Sequence, residues 1–170
     1  MSEGEILPGD YIAGFVDGEG CFALKFRRDV RRDRPGSPEY YYWGIEFAIE
    51  LRKDDVVILE LIKETLGCGK ISVSKTGFAR YSVNILDDPL NKIVPFFERY
   101  TLRAKKRCDF NLWKEALAIF GRNQQKMIVR TSQGFPKINW SERDEQRLRQ
   151  IYLEMKNYKS RKKPWKWLKV

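Results

Sequence analysis

The chain has 170 residues, 42% of them hydrophobic, with five Trp and ten Phe, which fits a single globular domain and excludes a disordered segment. Its net charge of +10 favours a polyanionic partner, with nucleic acid preferred over an acidic membrane surface. The sequence has no histidine, which excludes His-ligated zinc, histidine-metal nucleases and Ser-His triads, so any catalysis rests on carboxylates, lysines and a hard metal ion.

The first predicted element is a short apolar helix over 9–16, with Pro8 suited to its first position. It leads into Asp17-Gly18-Glu19-Gly20, an acidic pair flanked by glycines. Because glycine adopts positive φ freely and lets other atoms approach its backbone closely, we expect Gly18 and Gly20 to serve one of these purposes. The arrangement holds Glu19 at the end of the helix.

Two strands are predicted next, because hydrophobic residues alternate with polar or small ones. The first covers 21–27 and places Phe22, Leu24 and Phe26 on one face. An exposed turn rich in charge, Pro and Gly follows at 31–38. The second strand begins at Tyr40, and its apolar face consists of Trp43, Ile45, Phe47, Ile49 and Leu51.

Asp54 is predicted to cap a helix that ends at Gly67. A hairpin then joins 70–74 to 78–86, with Gly77 in the turn.

The rest of the chain is predicted to be mainly helical. Helices are expected over about 87–100 and 106–120, followed by a loop marked by Gly134 and Pro136. Ser141 is the expected N-cap of a last helix that ends near 156.

The element order predicts an α+β fold with an αββαββα arrangement, additional C-terminal helices and an antiparallel sheet. We expect one domain over 1–158 and a basic tail over 159–170 that includes Trp165 and Trp167. The tail either contacts nucleic acid or packs its tryptophans on the domain.

The segment from Tyr11 to Phe22, an apolar helix followed by a glycine-flanked acid and a strand, resembles the signature motif of the LAGLIDADG homing endonucleases. In that family the motif helix forms the dimer interface, and the acid at its end holds the catalytic metal. The motif occurs once here, which implies a homodimer. The resemblance places Ala13, Gly14 and Asp17 at the interface, where small residues allow close helix approach.

The resemblance also implies the catalytic residues. Glu19 of each chain is expected to hold Mg²⁺, with the Gly18 carbonyl as a further oxygen ligand. Lys106, or next to it Lys105, is expected to stabilise developing charge on the phosphate or orient the attacking water. Leu51 is a departure, because some family members carry a water-organising Gln there. Glu50 or Arg52 could take that role.

The outer face of the predicted sheet, opposite the core, carries basic, hydroxyl, amide and acidic side chains. This mixture suits base edges in the major groove, whereas a solvated face without a ligand is the alternative. DNA contacts are predicted from Lys25, Arg27, Tyr42, Glu46, Glu50, Arg52, Lys70, Ser72, Ser74, Arg80, Ser82 and Asn84. A strand of about nine residues spans on the order of 30 Å, or roughly nine base pairs per subunit.

The function implied is an intron-encoded, site-specific double-strand DNA endonuclease that cuts a long, near-palindromic site. One alternative is an RNA-splicing maturase whose partner is its host intron RNA. The other is a non-enzymatic DNA-binding regulator with the same fold.

The scattered cysteines, Cys21, Cys68 and Cys108, lack zinc-ligand spacing and predict reduced thiols in or near the core. No apolar run approaches the roughly 18 residues of a membrane-spanning helix. The N-terminal residues lack a signal-peptide pattern. We expect a protein of the cytoplasm or nucleoid of a prokaryote, or of an organelle matrix, that is not secreted and has no membrane partner.

Overall fold

The computed structural model describes residues 6–30, 32–33, 35–36, 39–124, 129–130, 136–137 and 140–157. Its elements in chain order are α1 (Gly9–Glu19), β1 (Gly20–Val30), β2 (Glu39–Arg52), α2 (Val56–Leu66), β3 (Lys70–Val73), β4 (Phe78–Val83), α3 (Val94–Arg99), α4 (Lys106–Gln124), β5 (Val129–Arg130), β6 (Pro136–Lys137) and α5 (Glu142–Asn157). This order confirms the αββαββα arrangement. The predicted tail over 159–170 lies outside the described residues, and the domain limits remain a prediction.

The main sheet is antiparallel, with its strands in the order β1-β2-β4-β3. Gly20 pairs with Ile49 at one end of the β1–β2 ladder, and Val30 pairs with Glu39 at the other. Gly77 has a φ of 87° in the turn between β3 and β4, as the hairpin prediction requires. Because side chains alternate along each strand, the sheet has one apolar face towards the helices and one outer face towards solvent.

Phe22 joins the sheet to the helices that cover it. Its ring is fully buried and stacks on Phe47 of β2, with the centroids 5.0 Å apart. Phe97 of α3 meets it edge-on at 5.6 Å, and Trp113 of α4 lies at 5.1 Å. These contacts fix α4, and therefore the segment that precedes it, against the strand that follows α1.

Helix α5 packs on α4 through apolar residues and one buried acid. Asp144 accepts hydrogen bonds from Arg122 and from Asn123 Nδ2, the latter at 2.8 Å. These donors hold the pKa of Asp144 well below its usual range, so the carboxyl stays ionised. Ser141 Oγ accepts the Asp144 N–H at 3.2 Å, which confirms the predicted N-cap.

Several local predictions were wrong. Asp54 does not cap α2, because its carboxylate binds the Arg52 guanidinium and a short 3₁₀ turn, Lys53–Asp55, precedes the helix. The predicted loop around Pro136 contains a small two-stranded sheet, β5 and β6. Cys21 and Cys108 are exposed rather than near the core, and all three cysteines are free thiols.

Among the residues that the structure describes, none of the helices combines the length and apolarity needed to span a bilayer.

Replacing Phe22 with Ala tests whether its ring joins the layers. We expect the free energy of unfolding to fall by about 3–5 kcal/mol, because a large buried aromatic ring leaves a cavity. Val57→Ala, at a position that is 60% exposed, is the control and should change stability by less than about 0.5 kcal/mol. Urea unfolding measures both. Equal effects of the two substitutions would contradict this view of the core.

Candidate functional site

Glu19 is the last residue of α1 and is exposed to solvent. Within the described part of the chain it has no hydrogen-bond or ion-pair partner. Asp17 lies in the same turn, no basic residue accompanies the two acids, and the C-terminal end of a helix already carries partial negative charge. A carboxylate in this place is electrostatically unfavourable on its own, so the position suits a cation.

One oxygen of the Asp17 carboxylate is hydrogen-bonded within its own chain. Its Oδ2 atom accepts the backbone N–H of Arg103 at 2.7 Å and that of Ala104 at 3.2 Å. These two bonds hold the segment that precedes α4 against the end of α1. The placement of Asp17 at a dimer interface stays a prediction, and the structure adds that one of its carboxylate oxygens makes this internal contact.

The held segment carries the predicted lysines. Lys105 immediately follows it and is exposed, and Lys106 is the half-exposed first residue of α4. In the described part of the chain neither ammonium has an acidic partner, so both are available to an anion. The fold thus attaches the two predicted catalytic groups, Glu19 and the lysine pair, to elements that the Asp17 carboxylate joins.

The exposed side of α1 differs from the predicted one. Ala13 is only 3% exposed and packs in the core of its own chain, because it follows Ile12 on the buried stripe of the helix. A Cβ atom added to Gly14 or Gly18 would meet nothing within 4 Å. These glycines lie one helical turn apart on the surface, and this small-residue spacing is a signal in the sequence that the prediction did not use.

The glycines around Glu19 are not needed for positive φ. Helix α1 runs to Glu19 rather than ending at residue 16, and Gly20 has a φ of −72°. A Cβ atom on Gly20 would lie 2.5 Å from Val16 Cγ1 and 2.8 Å from the Val16 carbonyl oxygen. Gly20 is therefore required for close approach, and Gly18 leaves an open surface.

The outer face of the sheet collects most of the residues predicted to contact DNA. The register sets Lys25 opposite Gly44, and Arg27 opposite Tyr42. On the other side of β2, Glu50 and Ser72 both pair with Arg80. The residues of this face are Lys25, Arg27, Tyr42, Glu46, Glu50, Arg52, Lys70, Ser72, Arg80 and Ser82.

Four of the predicted contacts are placed differently from expectation. Glu46 is 8% exposed and Ser82 is 6% exposed, so neither is freely presented to solvent. Ser74 follows the end of β3, where its hydroxyl contacts Thr76 Oγ1 at 2.9 Å and accepts the N–H of residue 78. Asn84 is exposed but follows the end of β4, because that strand is shorter than predicted.

Ion pairs cross the strands on the outer face. Glu46 accepts hydrogen bonds from Lys25 and from Arg80 Nη2, the latter at 2.6 Å, and Arg80 Nη1 lies 3.2 Å from Glu50 Oε2. Burial alone would raise the pKa of Glu46, but the two cations outweigh it and lower that pKa. Glu46 is therefore ionised at neutral pH.

Leu51 faces the core side of the sheet, where it pairs with Ala79 and is half-buried. Its side chain cannot organise water. Neither expected substitute is free, because Glu50 binds Arg80 and the Arg52 guanidinium binds Asp54 at 2.7 Å.

The site fits a hard divalent cation in its chemistry but not in its number of ligands. Glu19 offers a carboxylate, and the final carbonyls of α1 add oxygen atoms, both of which Mg²⁺ prefers. Within the described part of one chain, however, no three His, Cys, Asp or Glu side chains come together as a metal-binding group.

The LAGLIDADG endonuclease family profile matches residues 12–117, so the chain belongs to this family. It is 32% identical over 115 residues to an uncharacterized 50.9 kDa protein in ND4 intron 1 of Podospora anserina, covering 64% of this chain and 23% of that protein. It is 30% identical over 106 residues to a probable intron-encoded DNA endonuclease 1 of Mycosarcoma maydis, covering 62% of this chain and 35% of the relative. The chain thus spans only a minor part of these relatives.

Solved structures confirm the fold. The crystal structure of a homing endonuclease, I-TnaI, superimposes with a TM-score of 0.68 and 26% identity, covering 89% of each chain. I-SmaMI bound to an uncleaved DNA target in the presence of calcium ions superimposes with a TM-score of 0.69 and 21% identity. That match covers 88% of this chain and 45% of the I-SmaMI chain.

Removing the Asp17 carboxylate tests the contact that places the lysine segment. In Asp17→Ala the amide protons of Arg103 and Ala104 lose their acceptor, and we expect their hydrogen exchange to accelerate at least about tenfold. Asp10→Ala, an exposed acid in the first turn of the same helix, is the control and should leave these amides unchanged. Residue-resolved exchange by NMR gives the answer. Unaltered protection in Asp17→Ala would contradict the contact.

Proposed function

We propose that this chain forms a site-specific double-strand DNA endonuclease that acts as a homodimer and uses Mg²⁺ held by Glu19 of each copy. The observation that carries the proposal is the uncompensated Glu19 carboxylate at the end of the family's motif helix, joined through Asp17 to a lysine-bearing segment. The +10 net charge and the polar outer face of the sheet support a DNA substrate.

Each group has a distinct task in the proposed reaction. The Glu19 carboxylate, with the Gly18 carbonyl, binds the cation. When bound, Mg²⁺ neutralises charge on the scissile phosphate and lowers the pKa of a coordinated water. Lys106, assisted by Lys105, places positive charge where the phosphorane-like transition state gains negative charge. Asp17 holds the backbone that precedes both lysines against the end of the helix that carries Glu19.

A dimer is proposed because one chain supplies too few carboxylates for the metal and offers an open helix surface for a second copy. Gly14 and Gly18 leave the backbone of α1 accessible, which allows two such helices to approach closely. The match to about half of the I-SmaMI chain but to nearly all of the I-TnaI chain is consistent with a fold unit that works in pairs.

A paired arrangement also sets the length of the target. Strand β2 has 14 residues, so the outer face of each copy is long enough to follow the major groove. At roughly 3.3 Å per residue and about 3.4 Å per base step, a strand of this length follows at most about 14 base pairs. Two copies related by a two-fold axis therefore recognise a near-palindromic site.

Glu19→Gln tests the catalytic assignment. Duplexes selected from a random library by wild type in Ca²⁺ are transferred to Mg²⁺, and cleavage is followed on gels. We expect the variant to lose cleavage by at least about 100-fold, because an amide binds a hard cation poorly. Its DNA affinity in Ca²⁺ should stay within about threefold of wild type.

Asp10→Asn, which removes a charge from the same helix away from the site, is the control and should cleave normally. EDTA should stop the wild-type reaction, and Mg²⁺ should restore it. Cleavage by Glu19→Gln at the wild-type rate would refute the assignment.

One observation favours a second function. Leu51 faces the core, and both neighbours that could replace a water-organising side chain are engaged in ion pairs. A DNA-binding regulator without nuclease activity fits this feature. Wild type that enriches a site in Ca²⁺ but cuts nothing in Mg²⁺ would establish the regulator. Failure to enrich any duplex, together with binding to structured intron RNA, would instead point to a maturase.

Gly14→Leu tests the proposed dimer interface. The position is open within one chain, so the isolated fold should tolerate the side chain, whereas a close helix–helix contact should not. We expect the dimer dissociation constant to rise at least about tenfold by sedimentation velocity, with unchanged circular dichroism. Val57→Leu, which adds apolar area at another exposed site, is the control. A Gly14→Leu protein that dimerises like wild type would place the interface elsewhere.

A further inference from the structure

A carboxylate that is almost buried stands in the middle of the outer face, where a surface built only for phosphates would carry cations. Glu46 has a side chain that is 10% exposed, between Lys25 at 25% and Arg80 at 35%. Both cations donate to the same oxygen, Glu46 Oε2. A single acid on β2 therefore connects the strands on either side of it.

The surroundings of Glu46 favour fixed side chains. Ala23 lies directly opposite it on β1, and Ala48 pairs with Ser82 two residues further along β2. These three small residues are each at most 6% exposed although they belong to the outer face. Their size leaves room for the Lys25 and Arg80 side chains to lie along the sheet and reach Glu46.

The charges of the four ion-paired side chains, Lys25, Arg80, Glu46 and Glu50, cancel. Lys25 and Arg80 are balanced by Glu46 and Glu50, so this part of the face contributes no net charge to a chain of +10. Attraction to phosphates is proportional to free cations and is independent of sequence, whereas base recognition needs donors in fixed positions. These four side chains provide donors in fixed positions, as base recognition needs, but they add no net positive charge for attraction to phosphates.

We infer that Glu46 determines specificity: it is a positioning residue that holds Lys25 and Arg80 for hydrogen bonds to base edges and withholds their charge from phosphates. The inference rests on the proposed DNA-binding function. Arg80 keeps donors beyond those bound by the two acids, because a guanidinium has five N–H groups. Lys25 likewise retains free N–H groups. The bases that these donors favour are those with acceptors in the major groove, above all guanine.

Glu46→Gln is the decisive variant, since it keeps the shape and one acceptor but removes the charge. Binding to a fixed, unselected duplex should tighten about threefold to tenfold at low salt. The slope of log affinity against log salt should steepen by about 1, as one cation becomes free for phosphate. The ratio of cognate to unselected affinity should fall by about tenfold.

Glu50→Gln is the matched control. It removes the same charge from the same face, but Glu50 is 52% exposed and binds Arg80 alone. If only net charge mattered, both variants would lose specificity equally, and that result would overturn the inference. If Glu46 positions the cations, site selection with Glu46→Gln relaxes base preference at a few positions, which Arg80→Gln also relaxes, whereas Glu50→Gln relaxes fewer of them because Arg80 keeps its bond to Glu46.

The outcomes separate this inference from the proposed function. Wild type that enriches no duplex overturns both. Wild type that selects a site, together with Glu46→Gln of unchanged specificity ratio, overturns only the role of Glu46. If Glu46→Gln does not fold, Lys25→Gln and Arg80→Gln test the inference in its place. In site selection, each of these variants must lose base preference at defined positions of the target rather than at all positions equally. An equal loss of base preference at all target positions in both variants would overturn the inference.

Discussion

The contact between the Asp17 carboxylate and the backbone amides of Arg103 and Ala104 is the constraint on which the arrangement of the site depends. It joins residues that are far apart in the sequence, and it acts at the point where α1 ends. An ionised acceptor makes stronger bonds to N–H groups than a neutral one, so one oxygen is enough to hold two successive amides. The aromatic packing around Phe22 fixes α4 on the sheet, and the Asp17 contact then fixes the start of α4 against α1.

The last turn of α1 shows how two similar acids acquire different roles. Asp17 and Glu19 both oppose the negative end of the helix dipole, and no basic residue in that turn offsets them. The fold supplies donors to Asp17 and none to Glu19 in the described part of the chain. One oxygen of Asp17 is therefore bonded within the chain, whereas Glu19 keeps an unpaired carboxylate at the negative end of the helix. In the proposed enzyme, that unpaired carboxylate is the source of metal affinity.

The two faces of the sheet could be predicted from the sequence, because apolar and polar residues alternate regularly along its strands. Alternation along β1 and β2 assigned Phe22 and Phe47 to the core and Lys25 and Glu46 to the outer face, and the register agrees. One error concerned the end of α1. The helix was predicted to end at residue 16, before Gly18 and Gly20, yet it continues through Gly18 to Glu19 and leaves only Gly20 outside, because the low helix propensity of one glycine does not by itself end a helix.

Three other features were assigned wrongly or missed, each for a separate reason. Asp is a residue type that is favoured at N-caps, but the guanidinium of Arg52 lies only two residues away from Asp54 and binds its carboxylate instead. Ala13 was assigned to the dimer interface because it is small, whereas helical periodicity places it beside Ile12 and Val16 on the buried stripe. The contact of Asp17 with Arg103 could not be found from spacing, since nothing in either segment specifies the other.

The sheet register connects recognition with the proposed cleavage centre. Gly20 pairs with Ile49, so the strand end that carries Glu50 and Arg80 is the end nearest Glu19. The ion pairs then run from Glu50 through Arg80 and Glu46 to Lys25, towards the middle of β1. Because neighbouring carboxylates compete for the same guanidinium, a base that engages Arg80 changes the charge available to Glu50. In the proposed enzyme, one chain of ion pairs therefore extends from the middle of the outer face to the strand end nearest Glu19, and it stops at Glu50 without reaching Glu19 itself.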